Sequence, residues 1–136
     1  MAPNPQPLKY FVDRSLGQHQ VTAILRLAGL NLITLAEHYG QPADQAVEDV
    51  TWLTEATRNG WVCLTKDAAI TSKPAEVAAI RKAQARCFCL GNANLRAAEM
   101  AGRFLAATRQ MEHLSATQAG PFVYQIQGCD VKKILR

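Results

Sequence analysis

Residues 61–67 read Trp61-Val62-Cys63-Leu64-Thr65-Lys66-Asp67, an apolar run that ends in an acidic residue. A shorter run of the same kind, Tyr10-Phe11-Val12-Asp13, lies near the start of the chain. Runs of β-branched, aromatic and other apolar residues are typical of buried strands. Both segments therefore predict a strand that is followed by a carboxylate.

Predicted strands and helices alternate along the rest of the chain. Strands are expected at 9–13, 30–35, 61–65, 86–90 and 122–127. Helices are expected after Gly17, from an N-cap at Asp44 to Asn59, over 74–83, and as one long helix that begins near Leu95 and includes Met111. This alternation is typical of a parallel sheet with helices on both faces. The predicted fold class is α/β, a three-layer α/β/α arrangement with a mainly parallel central sheet of about five strands.

Length and composition indicate one globular domain. The chain has 136 residues, of which 49% are hydrophobic and 19% are charged, a balance that excludes a disordered chain. We expect a single domain over 9–136, preceded by a flexible, proline-rich lead-in at 1–8. No apolar run approaches the ~20 residues that cross a bilayer, and the N-terminus lacks the apolar stretch of a secretory signal. We therefore expect a cytoplasmic protein with no membrane partner.

Charge and cysteine content narrow the classes of partner and cofactor. A net charge of +4 favours an anionic partner and is compatible with nucleic acid binding. Cys63, Cys87 and Cys89 lie in predicted strands, and the four cysteines form no C-x-x-C pair. We interpret these residues as buried, reduced thiols rather than as disulfides or zinc ligands.

Acidic residues beside predicted strands are the strongest functional signal. The carboxyl ends of parallel strands lie along one edge of a sheet, where ligands of open α/β folds bind, so we expect Asp13 and Asp67 on that edge. Asp49 lies at the border of the apolar stripe of its predicted helix and can lean toward the same edge. The adjacent Glu48 is an alternative to Asp49 in this role.

Carboxylates gathered on one edge repel one another unless a cation intervenes. Two unit charges ~4 Å apart cost about 4 kcal/mol at an effective dielectric of about 20. Oxygen ligands without organised His or Cys favour Mg²⁺ or Mn²⁺ over zinc. A metal-activated water is a competent nucleophile toward a phosphodiester, so the pattern predicts hydrolysis of RNA or DNA. Taken singly, each aspartate also fits an ordinary turn residue or helix cap.

Three motifs follow one another in a characteristic order: Phe11-Val12-Asp13-Arg14-Ser15-Leu16, Asp49-Val50-Thr51-Trp52-Leu53-Thr54-Glu55-Ala56 and Gly60-Trp61-Val62-Cys63-Leu64-Thr65-Lys66-Asp67. Together they resemble the PIN-like domains, specifically the branch that includes VapC-type toxins, over about 10–126. The resemblance implies a metal-dependent endoribonuclease, the toxin of a toxin–antitoxin pair, with Mg²⁺ or Mn²⁺ held by Asp13, Asp49 and Asp67. It also implies an RNA substrate, an antitoxin protein that covers the acidic cleft, and a homodimer, which is common in the family.

One position departs from the family pattern. Many members carry a further Asp two positions after the residue that matches Asp67, where this chain has Ala69. Asn92 or Asn94, beyond the predicted fourth strand, is a candidate neutral ligand in its place.

Two basic residues adjoin the proposed ligands. Arg14 follows Asp13 and Lys66 precedes Asp67, so both are candidate phosphate-binding residues. Because neighbouring strand residues point to opposite faces, a solvated basic side chain is the alternative interpretation of each.

Two other functional classes fit part of the pattern. Ala69 is compatible with a PIN-like domain that has lost catalysis and binds RNA or a protein. A phosphoacceptor receiver domain is also a small α/β unit with an aspartate after its third strand, as Asp67 is. The rest of the receiver pattern is missing, because Asp13-Arg14 replaces an acidic pair and Gly91-Asn92 replaces a Ser or Thr after the fourth strand.

Overall fold

The structure of the chain is a computed structural model that describes residues 8–17, 19–91, 94–128 and 130–135. The predicted lead-in at 1–8 lies outside the described residues except for Leu8. The candidate ligand Asn92 and the fourth cysteine, Cys129, also lie outside them. The expectation of a single domain over 9–136 stays a prediction.

A six-stranded sheet forms the centre of the described part of the chain. Its strands are β1 (Tyr10–Val12), β2 (Leu32–Thr34), β3 (Val62–Thr65), β4 (Arg86–Cys89), β5 (Phe122–Gln127) and β6 (Asp130–Lys133). Their order is β2-β1-β3-β4-β5-β6, and all neighbours are parallel except β5 and β6. The sheet confirms the predicted fold class and adds an antiparallel strand, β6, that was not predicted.

The described residues also form six α-helices. These are α1 (Gln20–Leu27), α2 (Leu35–Tyr39), α3 (Asp49–Arg58), α4 (Pro74–Ala83), α5 (Ala97–Ala106) and α6 (Thr108–Thr117). The bounds of α4 are those predicted. Within the described ranges, no helix has the length and apolar character that a membrane span requires.

The short helix α2 replaces the predicted end of the second strand. The Thr34 hydroxyl accepts a hydrogen bond from the Glu37 backbone N–H at 3.0 Å, and Glu37 Oε1 accepts one from the Thr34 backbone N–H at 2.9 Å. This reciprocal capping box satisfies two backbone donors at the start of a helix. It ends β2 at Thr34 and starts α2 at Leu35, where an extended residue was expected.

Two further helix predictions were wrong in detail. Asp44 is not the N-cap of α3, because it lies buried in a short 3-10 turn at Ala43–Ala46, and the extended backbone of Val47 separates this turn from α3. The predicted long helix is two helices, α5 and α6. They are interrupted at Ala107, whose φ of −96° and ψ of 1° are not helical.

Each face of the sheet has its own apolar core, because successive strand residues point to opposite faces. Tyr10, Val12 and Leu64 pack with the buried sides of α1, α5 and α6. Phe11 and Cys63 pack with the buried sides of α2, α3 and α4. The result is the three-layer arrangement that the sequence predicted.

The strand order reverses between β1 and β3. The chain leaves β1 to form β2 on one side of it, and β3 lies on its other side. In open α/β sheets, ligands bind in the crevice at the carboxyl ends of such a strand pair. Asp13 directly follows β1 and Asp67 follows β3 by two residues, so both belong to this crevice.

The two edges of the sheet are short. The edge strand β2 has three residues and the edge strand β6 has four. In β6, Asp130, Lys132 and Lys133 are exposed. Both edges therefore present few backbone groups, and one of them is charged.

The backbone at Gly120 closely approaches the turn between α4 and β4. A Cβ atom at Gly120 would lie 1.9 Å from the backbone oxygen of Gln84. We expect Gly120→Ala to lower the free energy of unfolding by about 1–3 kcal/mol, as at other overpacked sites, in urea denaturation. The matched control is Gly102→Ala on the exposed side of α5, where a Cβ meets no atom within 4 Å. That control should raise the free energy of unfolding by about 0.5–1 kcal/mol, and equal values for the two variants would contradict the prediction.

Candidate functional site

Asp13 is the buried carboxylate of the crevice, with 6% of its surface exposed. It caps the 3-10 turn at Arg14–Leu16, and its Oδ1 accepts a hydrogen bond from the Ser15 backbone N–H at 2.7 Å. Its Oδ2 accepts from the hydroxyls of Ser15 at 2.9 Å and Thr65 at 2.5 Å. Thr65 is the last residue of β3, so groups from β3 and from the turn that follows β1 hold this carboxylate.

Ser15 and Thr65 were missed by the sequence analysis. Their hydroxyl oxygens lie 3.1 Å apart, and the Lys66 backbone N–H donates to Ser15 Oγ at 3.0 Å. The position of Ser15, two residues after Asp13, is a signal that could have identified it. Small hydroxyl side chains at such positions commonly form local hydrogen bonds. The contact of Thr65 with Asp13 instead depends on the pairing of β1 with β3.

The surroundings of Asp13 disfavour the negative charge of its carboxylate. The pKa of Asp13 is raised, chiefly because burial disfavours the charged form. Hydrogen bonds from Thr65 and Ser15 oppose the rise, and the negative charge of Asp49 adds to it. The structure thus brings Asp13 and Asp49 close enough for their charges to interact, and a cation between them would relieve the repulsion.

Asp49 is the first residue of α3 and is half-buried. Its Oδ1 accepts a hydrogen bond from Trp52 Nε1 at 2.9 Å. Trp52 is fully buried and stacks on Phe11 of β1, with ring centroids 5.5 Å apart. These contacts fix Asp49 relative to the strand that carries Asp13. Glu48, the alternative, is exposed and makes no capping hydrogen bond to α3.

Asp67 shares the edge but is exposed. Its Oδ1 accepts a hydrogen bond from the Ala69 backbone N–H at 2.8 Å and caps the turn at Ala68–Thr71. Burial raises the pKa of the Cys89 thiol to about 12, and the charge of Asp67 adds to this rise. Cys89 belongs to the core beneath α3 and α4, so the charge of Asp67 acts on a group in that core.

The donor atoms at this edge are oxygens, which suit a hard cation such as Mg²⁺ or Mn²⁺. A carboxylate has roughly four lone-pair sites. The Asp13 carboxylate accepts three hydrogen bonds, so one site remains for a further ligand. Within the described ranges, no group of three or more His, Cys, Asp and Glu side chains is arranged to hold a metal ion. In the structure, the charges of Asp13 and Asp49 interact. Asp67 lies on the same edge but does not form a three-residue metal-binding group with them.

The remaining predicted residues have different environments. Arg14 Nη2 donates to the backbone oxygens of Asp44, at 3.0 Å, and Val47. Arg14 thereby ties the turn after β1 to the segment before α3. Lys66 is half-buried, and its ammonium group has no hydrogen-bond or ion-pair partner among residues of the described ranges. Asn94 is an exposed turn residue, and the role suggested for Asn92 stays a prediction outside the described residues.

Two clefts flank the acidic edge. The first has a volume of about 440 Å³ and is lined by Arg14, Glu48, Asp49, Val50 and Glu76, among others. The second has a volume of about 500 Å³ and is lined by Ser15, Gly17, His19, Gln20 and Ala97, among others. Since Asp49 lines one cleft and Ser15 lines the other, a long ligand can reach the site from both sides.

Comparisons with known proteins agree with the motif resemblance. A family model described as "PIN like domain" matches residues 8–92, a range that includes Asp13, Asp49 and Asp67. The chain is also 36% identical over 125 residues to a Mycobacterium tuberculosis protein named "Putative ribonuclease VapC45". That alignment covers 92% of this chain and 90% of the relative. No solved structure matches the chain.

The contacts of Arg14 generate a prediction about the start of α3. Arg14→Ala removes both hydrogen bonds to the backbone, so amide hydrogen exchange over 43–50 should accelerate by about 5- to 150-fold, as for the net loss of two hydrogen bonds. Exchange in α6 should not change. The matched control is Arg103→Ala in the last turn of α5. Unchanged exchange over 43–50 in Arg14→Ala would show that Arg14 does not hold this segment.

Proposed function

The chain belongs to the family of PIN-like domains, and on this premise we propose that it is a VapC-type endoribonuclease, the toxin of a toxin–antitoxin pair. The buried carboxylate of Asp13 carries this proposal. It lies at the strand-order reversal and interacts electrostatically with Asp49. Hydroxyls from the end of β3 and from the turn after β1 hold it in place. Because the chain belongs to the PIN-like family, we do not retain the receiver-domain alternative.

We infer that Asp13, Asp49 and Asp67 hold Mg²⁺ or Mn²⁺, with Glu48 and Asn92 as secondary candidates. A bound ion of this kind supplies a water acidic enough to attack a phosphodiester, and it offsets charge on the phosphate. Asp13 would be the most rigid ligand, because three hydrogen bonds fix its orientation. Asp67 is exposed at the same edge and would complete the ligand set.

Other residues of the edge would bind and orient the RNA. Lys66 precedes Asp67 in the sequence, and its ammonium group has no partner among the described residues, so it is available for a phosphate. Arg14 also adjoins the acids, and a phosphate contact there would share the guanidinium with the backbone oxygens that it already binds. The net charge of +4 favours approach of a polyanion.

The proposed partners are RNA, a cognate antitoxin protein and a second copy of the chain. An antitoxin that covers the clefts beside Asp49 and Ser15 would block access to the carboxylates from both sides. Co-purification of the chain with the product of a neighbouring small gene, and loss of nuclease activity in the complex, would support this assignment.

A catalytically silent RNA- or protein-binding domain is the second candidate. Ala69 favours it, because that position lacks the further acid of many relatives. The three remaining carboxylates also form no closed cluster within the described ranges.

Substitution of the acids tests the catalytic proposal. Asp13→Asn and Asp67→Asn should each reduce Mg²⁺-dependent cleavage of a structured RNA by more than about 100-fold. Substitution of residues that only hydrogen-bond to metal ligands typically costs about 10- to 100-fold, and loss of a ligand should cost more. Cleavage is followed by gel electrophoresis of end-labelled RNA. The control, Asp130→Asn, removes an exposed acid from the edge strand β6 and should retain full activity. Equal activity in all four proteins would refute the proposed site.

Thermal unfolding tests metal binding without an activity assay. A ligand that binds only the folded state at 100 times its Kd adds about 2.7 kcal/mol of stability, so saturating Mg²⁺ or Mn²⁺ should raise the Tm of the wild type by several degrees. Asp13→Asn should show a much smaller rise, and Asp130→Asn should behave like the wild type. A wild-type Tm that does not respond to either ion would favour the binding-domain alternative.

A further inference from the structure

A groove between α6 and the strands β5 and β6, here called the α6/β6 groove, has no role in the proposed metal site. Its volume is about 350 Å³, at the lower end of the about 300–1,000 Å³ range of ligand sites. The residues that line it are Arg109, Gln110, His113, Leu114, Tyr124 and Val131. In the sheet, β5 and β6 lie two and three strands from β3, about 10 and 14 Å at about 4.8 Å per strand. The groove is therefore separate from the acidic edge.

The floor of the α6/β6 groove is apolar. Leu114 of α6 and Val131 of β6 are half-buried and pack against the core on the α6 side of the sheet. Tyr124 is only 7% exposed, its ring stacks on that of Phe88, and its hydroxyl donates to Gln118 Oε1 at 2.6 Å. The floor thus offers aliphatic side chains to a ligand, but no open aromatic ring.

The α6/β6 groove is short and open to solvent on the α6 side, where Arg109, Gln110 and His113 are exposed. Its lining residues on α6 run from Arg109 to Leu114, about 7.5 Å at about 1.5 Å per residue. This length has room for one or two side chains of a ligand. Small-molecule sites bury roughly 70–90% of their ligand, which an open groove does not. The dimensions therefore favour an anchor that is carried by a larger molecule.

The rim of the α6/β6 groove is positively charged. Lys133 of β6 is the register partner of Tyr124, and it points to the same side of the sheet as Val131, two residues away. Neither Lys133 nor Arg109 forms an ion pair with any residue of the described ranges. Glu112 of α6 is not among the lining residues, and no other Asp or Glu of the described part of the chain is. The cations of the rim therefore lack a paired counter-charge there.

An acidic peptide segment matches both the floor and the rim. Apolar anchors in a groove carry most of the energy of a protein interface, and complementary charges at its rim orient the partner. A strand of RNA would match the cations of the rim only. Single-stranded bases are bound by stacking on aromatic side chains, and the floor of this groove presents aliphatic ones. The combination of floor and rim therefore favours a peptide over RNA.

We propose that the α6/β6 groove is a docking site for a short acidic segment of a partner protein. An apolar side chain of the segment contacts Leu114 and Val131, and its carboxylates lie beside Arg109 and Lys133. The proposal goes beyond the ribonuclease function and does not depend on it. Because the groove is two strands or more from β3, a partner that is bound there need not cover the acidic edge.

Fluorescence anisotropy with three labelled peptides tests the match of charge. The peptides have leucine at the same positions and carry Glu, Gln or Lys at the others. The assay uses about 0.15 M salt, at which the Debye length is about 8 Å, so that general attraction is screened. The Glu peptide should bind more tightly than the Gln peptide by about 1.5- to 5-fold for each ion pair, and the Lys peptide should bind most weakly. Equal affinities, or no binding of the Glu peptide, would overturn the proposal.

Two neighbouring lysines of β6 provide a matched pair of variants. Lys133→Gln removes a cation on the α6 side of the sheet, and Lys132→Gln removes one on the opposite side. Lys133→Gln and Arg109→Gln should each raise the Kd of the Glu peptide by about 1.5- to 5-fold, whereas Lys132→Gln should not change it. Val131→Thr should raise the Kd by about 4-fold, as for the loss of one buried CH₂ group. Equal effects of the two lysine variants would show attraction by net charge alone, and the proposal would be wrong.

Chemical shifts of the backbone amides locate the bound peptide. The Glu peptide should shift amides over 109–114 and 131–133 but not those of Asp13 and Asp49, and shifts confined to other parts of the chain would overturn the proposal. Because neither RNA nor metal is present, the result does not depend on whether the chain is a nuclease. A single-stranded RNA or a fatty-acid anion that binds the groove more tightly than the Glu peptide, with the same dependence on Lys133, would assign the groove to that ligand instead.

Discussion

The burial of the Asp13 carboxylate is the constraint on which the rest of the site depends. A buried charge is unfavourable unless hydrogen bonds or a cation stabilise it. Here the hydroxyls of Ser15 and Thr65 provide part of that stabilisation, and this requires β1 and β3 to lie side by side in a fixed register. The central strand pair thus both forms the core of the fold and positions its most buried functional group.

The start of α3 is held to this strand pair by two independent connections. One runs through the core, from Asp49 to Trp52 and from Trp52 to Phe11 of β1. The other runs over the surface, from Arg14 to the backbone oxygens of Asp44 and Val47. Because Phe11 and Arg14 both lie within two residues of Asp13 in the sequence, the two connections together hold Asp49 in place relative to Asp13.

The parts of this structure that the sequence predicted depend on local patterns. Apolar runs identified β1 and β3, and the acids at their ends followed from the alternation of strands with helices. The parts that were missed depend on longer-range or weaker signals. The contact between Thr65 and Asp13 joins residues 52 apart in the chain, and no local pattern indicates it. Strand β6 has only four residues, most of them exposed and charged, so its sequence lacks the apolar character of a strand.

The short edges of the sheet have a consequence for how the chain can associate. An exposed edge of unpaired backbone groups is a template for strand addition, which leads to aggregates and fibrils. In this protein β2 stops after three residues at a helix cap, and β6 carries Asp130, Lys132 and Lys133 in exposed positions. Growth of the sheet from one molecule to the next is therefore disfavoured at both ends. A dimer or complex would therefore form through helix faces and clefts rather than through the sheet edges. A chain without its partner would also resist aggregation through strand addition.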